Sequence, residues 1–155
     1  MIKKLFLLVA ITTASLLTGP AQADPADISA ASRSVVRVVL AAKDGDKVAF
    51  VGHGSGFAVA PDKIVTNAHV VEIARQEASV VIGIIPSQGG TSYGGKIIAY
   101  SPGNDLALIQ VLDGGRLPPM AIFGGPVGDG ADVVAIGYPG SVDRAQGLDL
   151  DDLIN

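Results

Sequence analysis

The 155-residue chain contains no cysteine. That excludes a disulfide, a thiolate nucleophile and a cysteine-borne lipid anchor. Only two histidines are present, His53 and His69. They lie far apart in sequence, and no His-Glu-x-x-His helix accompanies them, so no zinc site is readable and no cofactor is implied. Charged residues make up 17% of the chain, with a net charge of -4 and no basic cluster, which argues against a nucleic-acid partner. A membrane-spanning run is also missing. The apolar stretch at residues 5–17, broken by Thr12, Thr13 and Ser15, is about 13 residues against the ~20 that a bilayer requires. At 48% apolar, the chain is too hydrophobic to be disordered. Its length suits about one domain.

That short apolar stretch has another reading. Lys3 and Lys4 precede it, and the small-residue site Ala21-Gln22-Ala23 comes after it. This is the layout of a cleaved export signal, placing a signal peptide at 1–23 and the mature start at Asp24. The expected location is the bacterial periplasm or the medium, with no stable membrane anchor after cleavage. An oxidising compartment permits disulfides without demanding them.

Twenty glycines and nine prolines punctuate the rest at the close intervals of an all-β protein. After a polar lead-in at 24–33, short β-branched runs occur at 34–40, 48–51 with 55–60, 63–66, 79–85, 96–100 and 106–111. Asp44-Gly45 supplies a hairpin turn between the first two. Residues 72–76 suit a turn or two of helix. The Gly- and Pro-rich stretch 113–131 reads as a linker, and 132–138 as one more strand. About six short strands with close turns predict an antiparallel barrel or sandwich.

Two residues stand out for chemistry. Acyl transfer to water needs a nucleophile, a base and a group that orients the base. Imidazole suits the base because it titrates near neutral pH. His69 comes after a short strand, with the small Ala68 before it leaving room for close packing. Asp105 sits between a Pro-Gly-Asn turn and an alternating strand. Taken alone, His69 reads equally as a structural histidine at a strand end, and Asp105 as an ordinary turn residue.

Four segments in order sharpen this: Gly54-Ser55-Gly56-Phe57, Ile64-Val65-Thr66-Asn67-Ala68-His69-Val70-Val71, Asn104-Asp105-Leu106-Ala107-Leu108-Ile109, and Ala135-Ile136-Gly137-Tyr138-Pro139-Gly140. Together they resemble the trypsin-like serine proteases, most closely the bacterial exported, high-temperature-requirement branch, over residues 34–140. The resemblance implies two antiparallel β-barrels with the active site between them. The first barrel would span 34–112 and the linker 113–131, with 132–155 opening an incomplete second barrel. It also implies His69 as general base, Asp105 as its orienting partner and a polypeptide as substrate.

The family's Gly-x-Ser-Gly-Gly nucleophile stretch does not occur in these 155 residues. The expectation is therefore a protease fragment that is inactive by itself. The alternative is a protease-like barrel serving as a binding or scaffold module. Other serines substitute poorly. Ser55 lies in a Gly-rich strand and Ser141 in a turn. Ser92, within Gly90-Thr91-Ser92-Tyr93-Gly94, matches a hydrolase elbow but lacks the helix after it and the downstream histidine. His53 reads as a solvent-facing strand residue. Asp149, Asp151 and Asp152 form a solvated acidic turn without the Gly and closing Glu of a calcium loop.

Overall fold

The computed structural model describes residues 24–45 and 47–139. The signal segment 1–23, Ser141, the acidic cluster and most of the expected second-barrel region lie outside the described residues.

The chain opens with helix α1, Pro25–Ser32. Asp24 caps it, accepting the Ala26 N–H at 2.8 Å, and proline occupies the first turn where its missing N–H is harmless. This short helix occupies the polar lead-in, where no helix is expected from hydrophobic pattern; the Asp-Pro pair is its one sequence signal. Six strands come next: β1 Val35–Asp44, β2 Lys47–Ala60, β3 Lys63–Thr66, β4 Val80–Pro86, β5 Tyr93–Ser101 and β6 Leu106–Val111. Helix α2, Ala68–Gln76, stands between β3 and β4.

All pairings are antiparallel, and the strands close in the order β1-β2-β3-β6-β5-β4. Closure is made by β1, whose Val38 faces Gly54 of β2 on one side and Ile84 of β4 on the other. A closed barrel leaves no unpaired strand edge. The all-β, trypsin-like fold class expected from the sequence is therefore what the chain adopts.

Alternation explains why these residues make a barrel. Side chains on a strand point to opposite faces in turn. Val36, Val38 and Leu40 of β1, Ile82 and Ile84 of β4, and Ala107, Ile109 and Val111 of β6 accordingly share one buried core with Ile64 of β3. Each buried Val or Ile contributes roughly 1.5–3 kcal/mol relative to exposure. Space at the centre is tight. A Cβ on Gly56 would stand 2.7 Å from Ile64 Cγ2 and 3.1 Å from Val38 Cγ2. Gly54 has a different role: a Cβ there would lie 2.6 Å from Val70 Cγ2, so its absence lets α2 approach the barrel wall.

Two expectations are corrected. The glycines of 52–56 do not divide β2; it is one 14-residue strand. β1 pairs with it from Lys47 to Phe57, β3 joining only from Gly56 on, and the irregularity is a register shift opposite Leu40/Ala41, a bulge rather than a break. The strand expected at 132–138 is not formed. A strand exists only with a partner to satisfy its backbone groups, and none lies beside it among the described residues. Tyr138 instead donates its N–H to Ser55 Oγ at 2.7 Å, with the Arg37 guanidinium 4.6 Å from its ring centre. The stretch before it is irregular but tied down. Leu117 N–H reaches Pro61 O and Met120 N–H reaches Ala58 O, each at 2.8 Å, and Leu117 joins the core.

Gly56→Ala should overpack this interior and lower stability by about 1–3 kcal/mol, measured by urea unfolding. An unchanged midpoint would show that Ile64 and Val38 yield freely.

Candidate active site

Thr66, the last residue of β3, pairs with Ala107, the second of β6. Antiparallel pairing sets the exit of one strand against the entry of the other. The residues just after Thr66 therefore meet those just before Ala107, across 36 residues of sequence.

On the entry side, a 3₁₀ turn at Pro102–Asn104 leads into Asp105, which has φ 50 and ψ 46. Aspartate is among the few residues that take this left-handed conformation readily. Its N–H is held by Pro102 O at 3.1 Å. On the exit side, Asn67 is extended at φ -72 and ψ 145, and α2 begins at Ala68. The strand end expected for His69 is not where it sits. It lies in the first turn of α2, because the chain turns helical directly after Asn67. Ala68 is buried at 2% exposure, as its small size suggests.

Helix starts carry N–H groups with no partner inside the helix. The His69 N–H is one, and it donates to Asp105 Oδ1 at 3.0 Å. The same carboxylate meets the imidazole. His69 Nδ1 lies 2.9 Å from Oδ1 and 2.8 Å from Oδ2. A carboxylate only accepts, so with neutral imidazole the proton sits on Nδ1, leaving Nε2 with its lone pair. The His69 side chain is 67% exposed, and Nε2 has no hydrogen-bond partner among the described residues. The ring is thus fixed at one nitrogen and open at the other. In that state it can take a proton from a nucleophile and hold it as imidazolium beside a carboxylate.

Asp105 is held below the usual carboxylate range. The His69 backbone N–H is the chief cause. Desolvation opposes it, while the imidazole's hydrogen bond and charge and the Asn67 amide add to the lowering.

Asn67 carries no role in the sequence motif. In the structure its Nδ2 donates to Asp105 Oδ2 at 3.0 Å and to Asp105 O at 3.2 Å. An Asn directly before a helix is a capping signal, so the residue is visible in sequence, although its target is not.

The remaining residues are not drawn into this cluster. Ser55 Oγ is taken up by the Tyr138 N–H. Ser92 lies just ahead of β5 and lines a cavity of about 700 Å³ over β1, β4 and β5, which neither histidine lines. His53 is half-buried rather than solvent-facing, its ring 5.9 Å from that of Phe50. Among the described residues no group of three or more His, Asp or Glu is placed to hold a metal. A second cavity, about 420 Å³, opens beside the pair and is lined by Phe57, Thr66, Asn67, Leu106, Met120 and Ile136 among others.

The family model for the trypsin-like peptidase domain matches residues 54–150. The chain belongs to that family. Over 122 residues it is 34% identical to two proteins of Mycobacterium tuberculosis: serine protease MT3772 of strain CDC 1551 / Oshkosh and serine protease Rv3671c of strain ATCC 25618 / H37Rv. Each match covers 78% of this chain and 28% of the relative, so the chain spans little more than a quarter of the length of these proteases. For this trypsin-like chain, the matched region takes in β3, α2 and β6, the elements that build the His69–Asp105 pair.

The sign of the pH dependence comes from Asp105. Its folded value is lowered, so its stabilisation is complete above the unfolded value of ~3.9 and is lost as pH falls through the lower folded value. Carbon NMR of the Asp105 carboxyl should give a midpoint below that of an unstructured aspartate. A midpoint at or above it contradicts the hydrogen-bond set around this carboxylate.

Proposed function

We propose that this chain carries the base-bearing half of an exported serine endopeptidase. His69 Nε2 takes the proton from a serine Oγ as it attacks the carbonyl carbon of a peptide bond. Asp105 holds the Nδ1–H tautomer and stabilises the imidazolium. The proton then passes to the departing amine, and water, deprotonated by the same imidazole, releases the acyl group. The nucleophile comes from a Gly-x-Ser-Gly-Gly stretch that is not among these 155 residues.

The proposal stands on the 2.8 Å contact between His69 Nδ1 and Asp105 Oδ2. A second barrel of this kind would also cover exposed apolar side chains. Phe123 is 75% and Val133 82% exposed, both on the stretch that leads from the barrel towards the expected second one. The second barrel, opened by 132–155, would lie there, with the cavity beside Asn67 and Leu106 at the junction. The substrate class is polypeptide.

In the longer, serine-bearing polypeptide a fluorophosphonate probe should label the active serine, and His69→Ala should abolish labelling. Asp105→Asn should lower kcat by about 10⁴-fold, because the wrong tautomer then faces the base position. The 155-residue chain alone should not label. Labelling that survives His69→Ala would falsify the base assignment.

Export belongs to the same proposal, on the strength of Lys3, Lys4, the short apolar stretch and Ala21-Gln22-Ala23. Residues 1–30 fused to a reporter active only outside the cytoplasm should yield reporter activity. Deleting 5–17 should remove it. Activity that persists after the deletion rules out this signal.

A further inference from the structure

An asparagine placed directly before a helix ordinarily folds its side chain back onto the first free N–H groups. Asn67 occupies that position ahead of α2, yet its side chain makes no cap hydrogen bond. Its amide reaches across to the β6 entry and bridges two acceptors of one residue: Asp105 O at 3.2 Å and Asp105 Oδ2 at 3.0 Å. The capping role passes to Asp105 itself, whose Oδ1 accepts the His69 N–H at 3.0 Å.

A carboxylate held by one donor can swing about that contact. One held by a separate donor on each oxygen has its plane fixed. Here the His69 N–H fixes Oδ1 and the Asn67 amide fixes Oδ2, and the imidazole Nδ1 lies 2.9 and 2.8 Å from the two oxygens, between the two anchors. The link from the same amide to Asp105 O ties the side chain to a backbone already in the left-handed region at φ 50. Both anchors come from the single turn that carries His69, so carboxylate and ring move as one unit.

From this arrangement we propose that Asn67 is a positioning residue: it fixes the plane of the Asp105 carboxylate and, through it, the tautomer and direction of the His69 ring. It touches neither the substrate nor the reacting atoms. The assignment rests on the reading of His69 and Asp105 as catalytic groups, but its first test does not need activity.

Nitrogen NMR of labelled histidine in the 155-residue chain, at a pH where the ring is neutral, should show the Nδ1–H tautomer dominant. In Asn67→Ala the share of that tautomer should fall, and solvent exchange of the Nδ1 proton should accelerate by about tenfold, as expected for one lost hydrogen bond. The thermal midpoint should stay close to that of the unaltered chain, because Asn67 is exposed. Unchanged tautomer and exchange overturn the proposal.

Asn67→Asp serves as a second variant of the same shape. It replaces the donor facing Oδ2 by an acceptor and should likewise speed solvent exchange of the Nδ1 proton. Unchanged exchange again overturns the proposal, even if Asn67→Ala fails to fold.

In the serine-bearing polypeptide, Asn67→Ala should lower kcat about 10- to 100-fold through misdirection of the base, with KM little changed. Unaltered kcat counts against the assignment. Should the unaltered polypeptide show no hydrolysis while the NMR differences appear, the peptidase reading fails and the positioning role of Asn67 stands.

Discussion

The pairing of Thr66 with Ala107 is the contact on which the candidate site depends. It fixes where β3 ends relative to where β6 begins, and so brings an imidazole and a carboxylate that are 36 residues apart to within 2.8 Å. Nothing local could do this, because the intervening chain includes α2, β4 and β5. The register is in turn held by the core. Ile64 of β3 and Ile109 of β6 are directly opposed and fully buried. A slip of β3 by one residue would turn Ile64 outward and its neighbours inward. Apolar burial thus acts on the chemistry at a distance, by making one register far more favourable than the next.

At the end of that ladder, one carboxylate serves structure and chemistry together. Asp105 accepts the N–H that the start of α2 leaves free, and the same two oxygens face His69 Nδ1. The positive end of a helix favours negative charge, and the backbone hydrogen bond is the chief cause that holds the carboxyl below the usual carboxylate range. A group already charged for structural reasons is ready to stabilise an imidazolium without reorganising. The Gly54-Ser55-Gly56 stretch supports this from behind. Gly54 admits Val70 of α2, Gly56 leaves room for Ile64 of β3, and Ser55 receives the incoming chain at Tyr138. Three adjacent small residues let three different partners approach.

Much of this is legible in the linear sequence, for identifiable reasons. The strands at 34–40, 63–66, 79–85 and 106–111 stand out by β-branched alternation, a signal that the antiparallel barrel preserves. His69 and Asp105 stand out through their flanking residues and resemblance to a family. Other features are not legible. The long β2 looks broken at its glycines, because local propensity registers the weakness of glycine but not the support of β1 alongside it. The segment 132–138 has the composition of a strand, yet composition cannot provide a partner. Helix α2 starts earlier than its hydrophobic pattern indicates, since its first turn is held by a carboxylate from another strand rather than by a side chain nearby.

Local sequence alone settles the alternation that makes strands, the turns that separate them and the residue types able to move a proton. Which of those groups meet is settled only on folding: Asp105 reaches both the backbone and the ring of His69, Asn67 serves Asp105 rather than its own helix, and Ser55 holds Tyr138. Residue type and periodicity are local properties, carried by each stretch of chain. Hydrogen-bond partnership across a barrel depends on register, and register emerges only when all six strands bury their apolar faces together.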